Sequence, residues 1–409
     1  MGGASSSFFQ VWPVRARWAR PAFQRLRTCL LGARPLCAAG SFHEENVVAE
    51  KLGWGSYASV YAVRKRGCDA PSYAAKVISL RLVRGKVRRG EEMLVERELR
   101  ILQTVADKNC DAVVRFHEAY REGSTFYIVM ELCDKTLVDT LEGLDELTEA
   151  IYRPMFRDML RGLSAVHSVG VVHRDVKPDN YMCVRRGGTC IIKLCDFGLA
   201  KVVTAANRNE LLGVNGTAPF MAPEMLKGLR YSTKVDVWSL GVLVYALLFG
   251  HFPYAPRIWT CEEMKWAIQA GVPTPCFNAR VKGYPDGAFA GAVSADARAL
   301  VASLLERAPV SRSSADAALA HAFFGGGAGA ATASLKPMLS SAESCGAFAR
   351  LRHNGEGGAP SALDLQVASL QVRHGHFSHW SRQTTASSNV NDPIAGSEVD
   401  PLLLSGVTQ

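Results

Sequence analysis

A run of charged residues between two apolar stretches constrains this chain more than any other feature. The segment VVHRDVKPDN occupies residues 171–180, with the apolar GLSAVHSVG before it and YMCV after it. Burying charge without a partner is costly. The segment contains His173, Arg174, Asp175, Lys177 and Asp179, and these side chains require either a structural ion network or a chemical task. Taken alone, the segment leaves both alternatives open.

Composition describes a globular protein with a basic N-terminal end. The 409 residues are 48% hydrophobic and 21% charged, and the formal net charge is +9. Residues 1–43 hold six arginines and no Asp or Glu, so most of the surplus belongs to this leader. We therefore expect no nucleic-acid partner. Eleven cysteines without a CxxC pair indicate no disulfide framework and favour a reducing compartment.

The chain divides into three regions. We expect a disordered basic leader over residues 1–43, a compact unit over 46–324, and a low-complexity, mostly disordered tail over 325–409. Within the compact unit, residues 46–131 are rich in strand patterns with one main helix, and residues 134–324 are mainly helical. The longest apolar run, VLVYALLF at 242–249, is too short to span a bilayer and is typical of a buried helix.

Two features of the strand-rich part are typical of phosphate binding. The segment LGWGSYASVY at 52–61 places Gly53 and Gly55 in a turn, where the absent side chains let a phosphate approach the backbone. Lys76 follows two alanines on the third predicted strand and could hold phosphates, with Glu98 on the next helix as its partner. A plain hairpin and a surface lysine explain the same residues equally well.

A second pair of oxygen ligands follows the charged segment. Asp196 opens the DFG triplet directly after the apolar strand CIIKLC, and Asn180 ends the charged segment. Mg²⁺ prefers one or two such oxygens together with phosphate oxygens. Cys195, directly before Asp196, is expected to be a small buried hydrophobic residue.

These motifs occur in one order along the chain: the glycine turn, AAK, a helical Glu, HRDxKxxN, DFG and MAPE (221–224). Together the set resembles the eukaryotic protein kinase family over residues 46–324. The resemblance implies an α+β, two-lobed fold, with an antiparallel N-lobe sheet plus one helix and a helical C-lobe. It also implies ATP and Mg²⁺ as cofactors, protein substrates and a monomer.

The resemblance implies a role for each matching residue. Asp175 would accept or orient the proton of the substrate hydroxyl, and Lys177 would steady the transferring phosphoryl group. Asn180 and Asp196 would hold Mg²⁺. The implied nucleotide-binding residues are Leu52, Gly53, Gly55, Val60, Ala74, Lys76, Glu98, Glu131, Cys133 and Met182. The implied structural and activation residues are His173, Arg174, Phe197, Thr217, Glu224, Asp236 and Arg312, with Glu224 paired to Arg312 and Asp236 bracing the charged segment.

Three details bear on the type of kinase. The Lys in HRDVKPDN and Thr217 in GTAPFMAPE resemble serine/threonine kinases. The segments YAAKVIS, HRDVKPDN and HAFF together resemble the calcium/calmodulin-dependent group most, although no EF-hand loop occurs in the tail. A pseudokinase scaffold is the alternative function, but such proteins typically lose one of the catalytic residues that this chain retains. The activation segment offers only Thr204 and Thr217 as hydroxyl residues, so we expect no requirement for loop phosphorylation, with Glu210 supplying charge to Arg174. For the acidic contact to ribose, Asp134 and Asp139 are both candidates.

The leader and the tail allow several interpretations. MGGASS fits N-myristoylation at Gly2, which predicts a cytoplasmic, membrane-associated kinase. An Arg- and Ser-containing stretch without acids equally resembles an organelle transit peptide with a mature start near residue 38. An unmodified disordered extension is the third alternative. In the tail, GAFARLRHN at 346–354 is a candidate calmodulin-binding or autoinhibitory helix, against a plain linker.

Overall fold

The computed structural model describes residues 35–325, apart from 55–57, 81, 84–85, 88, 204–210, 257, 259 and 278–292. The predictions for Gly55, Thr204 and Glu210, for Gly2 and for the tail segment 346–354 lie outside the described residues. In the part of the chain that is described, no helix is both long and apolar enough to cross a bilayer.

The N-terminal lobe is built on a five-stranded antiparallel sheet. In space its strands follow the order Asn46–Trp54, Ser59–Lys65, Tyr73–Ser79, Thr125–Glu131 and Phe116–Glu122. One apolar face of the sheet packs against the long helix Arg89–Ala106 through a cluster that includes Val95, Leu99 and Phe126. The elements are α1 (Phe42–Glu45), β1 (Asn46–Trp54), β2 (Ser59–Lys65), β3 (Tyr73–Ser79), β4 (Leu82–Val83), β5 (Lys86–Val87), α2 (Arg89–Ala106), β6 (Phe116–Glu122) and β7 (Thr125–Glu131).

The N-terminal boundary of the fold differs from the sequence prediction. The leader was predicted to extend to residue 43, yet Phe42 is completely buried against Val63, Ala75 and Val129 on the second face of the sheet. Burying a phenylalanine ring removes a large apolar surface from water, and this stabilises the folded position of Phe42. The folded part therefore includes the last residues of the predicted leader.

The C-terminal lobe is mainly helical, as predicted. Helix α4 starts at the predicted cap, because the Thr148 side chain accepts a hydrogen bond from the Ile151 amide, and it continues through Pro154. Every residue of α6 from Val235 to Phe249 is buried, which makes it the core helix of this lobe. The helices are α3 (Leu137–Glu142), α4 (Glu149–Ser168), α5 (Pro223–Leu226), α6 (Lys234–Phe249), α7 (Cys261–Ala270), α8 (Ala295–Leu304) and α9 (Ala315–Leu319).

Short strands frame the charged segment between the two lobes. Its first residues form β9 (Val171–Val172), which pairs with β12 (Lys201–Val202), and it leads into the hairpin β10 (Tyr181–Arg186) and β11 (Thr189–Leu194). The two-residue strand β8 (Lys135–Thr136) pairs with β10. We call residues 171–180 the catalytic loop.

The hairpin carries a disulfide that the sequence analysis did not predict. Cys183 on β10 and Cys190 on β11 are bonded, with their Cα atoms 6.0 Å apart. Antiparallel pairing brings side chains seven residues apart in sequence to neighbouring positions, which local spacing rules for disulfide frameworks do not detect. The other cysteines in the described part of the chain are not disulfide-bonded.

Candidate active site

The backbone of the catalytic loop is held by one buried carboxylate. Asp236, near the start of α6, is fully buried and accepts hydrogen bonds from the amides of His173 and Arg174, each at 2.8 Å. Arg174 has a φ of 69°, a left-handed conformation that non-glycine residues rarely adopt. Such a conformation costs roughly 1–3 kcal/mol unless the surroundings enforce it, and Asp236 is the group that enforces it here.

Asp236 is ionised because its partners outweigh its burial. Burial alone would raise the pKa of this carboxyl, but the His167 ring, whose Nε2 lies 2.9 Å from Oδ2, and the amide of Arg174 lower the pKa below its ordinary value. A charged acceptor binds backbone amides more strongly than a neutral one. The loop is therefore fixed by charge-assisted hydrogen bonds.

Asp175 lies at the centre of a hydrogen-bonded cluster. Its Oδ1 accepts a hydrogen bond of 2.8 Å from the hydroxyl of Thr217, and its Oδ2 lies 3.0 Å from Nζ of Lys177 and 3.1 Å from Nδ2 of Asn180. The Lys177 Nζ also donates to the Thr217 hydroxyl at 3.1 Å. Both carboxylate oxygens are thereby fixed in orientation. The Asn180 amide nitrogen faces Asp175, so its oxygen is the atom that remains for a ligand.

Close approach of the activation segment to this cluster requires a glycine. Gly216, directly before Thr217, has a φ of 109°, and a Cβ there would overlap the carbonyl oxygen of Arg174. A side chain would separate Thr217 from Asp175. Glycine at this position therefore allows the threonine hydroxyl to reach the carboxylate.

Lys76 connects the two lobes. Its Nζ lies 2.7 Å from Oε1 of Glu98 on α2 and 3.0 Å from Oδ1 of Asp196. Burial opposes the charge on this lysine, yet Asp196 and Glu98 together raise its pKa above the ordinary value. Lys76 in turn lowers the pKa of Asp196. Lys76 and Asp196 are therefore both charged at neutral pH.

Asp196 and its neighbours are held in a strained but supported conformation. Asp196 has a φ of 61° and accepts a hydrogen bond from the Gly198 amide at 3.2 Å. The ring of His173 lies 3.0 Å from the carbonyl of Cys195 through Nε2, and its Nδ1 accepts from the Asp175 amide. These two bonds require the neutral tautomer with the proton on Nε2. The same ring contacts Phe197 edge-to-face at 5.2 Å.

Apolar side chains of both lobes pack together around Cys133, directly after β7. Ala74 on β3 pairs with Met130 on β7, and Met130 packs with Met182 against Cys133. Cys133 is buried, and burial followed by the charge of Glu131 raises its pKa to about 12, so the thiol stays neutral. Of the other predicted nucleotide residues, Leu52 lies on β1, and Val60 on β2 pairs with Gly53 and with Lys76.

Comparison with known proteins decides the family. The protein kinase domain family matches residues 47–324 of this chain. The chain belongs to the protein kinase family. The predicted two-lobed α+β fold is thereby confirmed, and use of ATP follows from the kinase domain.

The curated relatives are serine/threonine kinases. Serine/threonine-protein kinase RAD53 of Saccharomyces cerevisiae is 31% identical over 297 residues, covering 69% of this chain and 33% of that protein. Serine/threonine-protein kinase PEPKR2 of Arabidopsis thaliana is 33% identical over 279 residues, covering 68% and 53%. Calcium/calmodulin-dependent protein kinase type 1B of Rattus norvegicus is 31% identical over 282 residues, covering 69% and 75%. The chain thus spans about a third of the length of RAD53 and about half of the length of PEPKR2.

The structural contact predicted between Glu224 and Arg312 is present in the C-terminal lobe. Arg312 is 1% exposed and binds Glu224 through two hydrogen bonds of 2.6 and 3.0 Å. Its guanidinium also lies over the ring of Trp238 at 5.0 Å. This pair fixes the end of the activation segment to the helical core.

The side chain of Arg174 contacts the backbone of the activation segment. Its Nε donates to the carbonyl of Leu199 at 2.8 Å, and its Nη1 donates to the hydroxyl of Tyr231 at 3.3 Å. The Tyr231 hydroxyl donates to the carbonyl of Gly213 at 3.0 Å. Tyr231 therefore connects the catalytic loop to the activation segment.

The two candidates for the ribose contact are engaged locally. Asp139 forms a capping box with Thr136 at the start of α3, where each residue's side chain accepts from the other's backbone. Asp134 accepts a hydrogen bond of 2.7 Å from the amide of Arg185. Both carboxylates therefore stabilise the segment that follows β7.

Three side chains that contact the predicted site residues were not predicted from the sequence. His167 binds Asp236, Tyr231 binds Arg174, and Lys193 is almost fully buried with its Nζ 3.0 Å from Glu131 at the end of β7. Only Lys193 left a signal, since a lysine inside the apolar strand CIIKLC requires a buried acidic partner. The other two are indistinguishable in sequence from ordinary core residues.

Proposed function

We propose that this protein is a serine/threonine protein kinase that transfers the γ-phosphoryl group of ATP to hydroxyl groups of protein substrates. One observation carries the proposal. Asp175, Lys177 and Thr217 form a closed hydrogen-bonded triangle at the cleft, and Lys76 bridges Glu98 and Asp196 opposite to it. Phosphoryl transfer depends mainly on positioning and on neutralising charge, and this arrangement supplies both.

The residues divide the chemistry between them. Asp175 orients the substrate hydroxyl and accepts its proton as the oxygen–phosphorus bond forms, while ADP leaves with the electrons of the broken bond. The charge of Lys177, whose pKa is raised by Asp175 and Asp179 against the effect of burial, offsets negative charge on the transferring group. Lys76 binds phosphate oxygens of the nucleotide and is oriented by Glu98.

The donor set fits Mg²⁺. Asp196 is ionised and its side chain is 47% exposed, so its oxygens are available to a ligand in the cleft. Asn180 supplies a neutral oxygen. Carboxylate and amide oxygens with phosphate oxygens suit this ion, which bound here would neutralise the phosphates of ATP.

The adenine would bind between the lobes. Val60 and Ala74 would lie above the base and Met182 below it, with Met130 at the back of the cavity. The backbone of Glu131 and Cys133 would hydrogen-bond its edge.

The test is transfer of labelled phosphate from ATP to a mixed library of Ser, Thr and Tyr peptides. The full chain is compared with Asp175→Asn and with Asp69→Asn, a control on an exposed carboxylate away from the cleft. Transfer to Ser and Thr peptides that is lost only in Asp175→Asn supports the proposal. If the unmodified chain and both variants bind ATP but none of them transfers phosphate, the protein is instead a pseudokinase scaffold.

The same assay includes an arm with Ca²⁺-calmodulin. The relatives named for calcium/calmodulin dependence motivate the proposal that residues 346–354 bind calmodulin. Stimulation that is lost when Arg350 and Arg352 are both changed to Glu would support it. Equal activity with and without calmodulin would exclude it.

A further inference from the structure

A segment outside the matched kinase domain covers the open edge of the N-lobe sheet. Strand β6 is the last strand of the sheet, and edge strands present unpaired backbone groups. The amide of Ala38 donates to the carbonyl of Ala119 on β6 at 2.7 Å. The family match begins only at residue 47. We call residues 35–46 the N-terminal strap.

One end of the strap contacts helix α2. Leu36 and Cys37 pack against the cluster that contains Val95 and Leu99. The carbonyl of Pro35 accepts a hydrogen bond of 2.9 Å from Nε2 of Gln103 on the same helix. The strap therefore touches α2 through both apolar packing and a directional bond.

The other end of the strap is fixed on the opposite face of the sheet. The ring of Phe42 stacks on Tyr127 with centroids 4.2 Å apart and planes 8° apart. His43 Nδ1 lies 2.7 Å from Oε2 of Glu122 at the end of β6. Because the strap crosses the edge strand between these two ends, displacing α2 away from the sheet would require breaking contacts with the strap.

The strap contacts α2 at Gln103, little more than one helical turn after Glu98, and packs against a cluster that includes two α2 residues. These two residues, Val95 and Leu99, flank Glu98 on the helix, and Glu98 reaches Lys76 at 2.7 Å. The position of α2 determines whether the Lys76–Glu98 pair forms. We propose that the N-terminal strap positions α2, so that residues Pro35, Leu36 and Gln103 act as positioning residues for the Lys76–Glu98 pair. The inference rests on the proposed kinase function.

The test uses Leu36→Ala and Gln103→Ala in the full chain. At a temperature where all proteins are folded, we expect kcat/KM to fall about fivefold in each variant, with a raised KM for ATP. Leu36→Met should restore the wild-type value because it keeps the apolar volume. The matched control Met93→Ala, an exposed apolar truncation on the same helix, should have no effect.

Two further measurements separate positioning from stability. In a Glu98→Gln background, the strap variants should cause no additional loss, because they act through Glu98. Hydrogen exchange of α2 amides should accelerate in the strap variants whether or not the protein transfers phosphate. Unchanged kcat/KM with a lowered melting temperature would overturn the proposal, as would an equal loss in the Glu98→Gln background. Absence of transfer in the wild type would refute the kinase function alone, and the exchange data would still decide on the strap.

Discussion

Replacing Thr217 by valine tests whether its hydroxyl takes part in the reaction. Valine has nearly the same shape but cannot donate to Asp175 Oδ1, where the present bond is 2.8 Å, or accept from Lys177, where it is 3.1 Å. Hydrogen bonds to charged groups contribute about 1.5–3 kcal/mol each. If one such contribution is lost from the transition state, kcat falls by about 10- to 150-fold.

The measurement is steady-state phosphorylation of a serine peptide. The KM for ATP should stay unchanged in Thr217→Val, because Thr217 touches neither Lys76 nor Asp196. Thr217→Ser keeps the hydroxyl and should retain kcat within about threefold. The melting temperature of each variant serves as the control for folding.

Two outcomes would refute this reasoning. If Thr217→Val keeps a kcat within about twofold of wild type, the hydroxyl only stabilises the resting structure. If Thr217→Ser loses as much as Thr217→Val, the methyl group rather than the hydroxyl positions Asp175.

Three further predictions concern stability, pH and metal. Arg312→Leu leaves Glu224 charged and buried and should lower the free energy of unfolding in urea by about 3–5 kcal/mol, whereas adding Glu224→Gln should recover part of the loss. Asp236 has a lowered pKa in the folded state, so its stabilising effect is complete above its unfolded pKa of about 3.9 and is lost as pH falls further through the folded value. Unfolding measured from about pH 6 downward should therefore show a weaker acid dependence in Asp236→Asn. Asp196→Asn should raise the Mg²⁺ concentration for half-maximal activity by about tenfold or more, measured by titration at fixed ATP.

Local sequence signals predicted the elements well because those signals are set by neighbouring residues. Helix α4 begins at Thr148 because a side-chain oxygen there can cap the first turn, which depends on residues only three apart. Helix α6 is apolar all round, and that property alone requires burial. Predicting the disulfide between Cys183 and Cys190 would have required the register of the hairpin, and composition does not specify that register.

The candidate site was predictable as a set of residues but not as a set of bonds. The motifs named Asp175 and Thr217, which lie 42 positions apart, without any rule that joins a hydroxyl to a carboxylate. The partner of Arg174 could not be predicted, because Tyr231 lies 57 positions away and contacts it only through the tertiary fold. Long-range partners of this kind depend on the tertiary fold, whereas motif spacing records only the order along the chain.

The contacts of the strap were equally unpredictable, and they bear on two of the three alternatives for the leader, cleavage and acylation. Its contacts join residues far apart in the chain, such as His43 and Glu122, which are 79 positions apart, so no local sequence pattern indicated that residues 35–43 are ordered. Cleavage near residue 38, as a transit peptide predicts, would remove Pro35 and Leu36 from α2. Acylation at Gly2 would leave both in place. Only cleavage alters the contact with the helix that carries Glu98. If the leader is cleaved, preparations that contain more of the shortened chain, as measured by mass spectrometry, should therefore have a lower kcat/KM. If it is acylated, N-terminal mass and kcat/KM should be independent of each other.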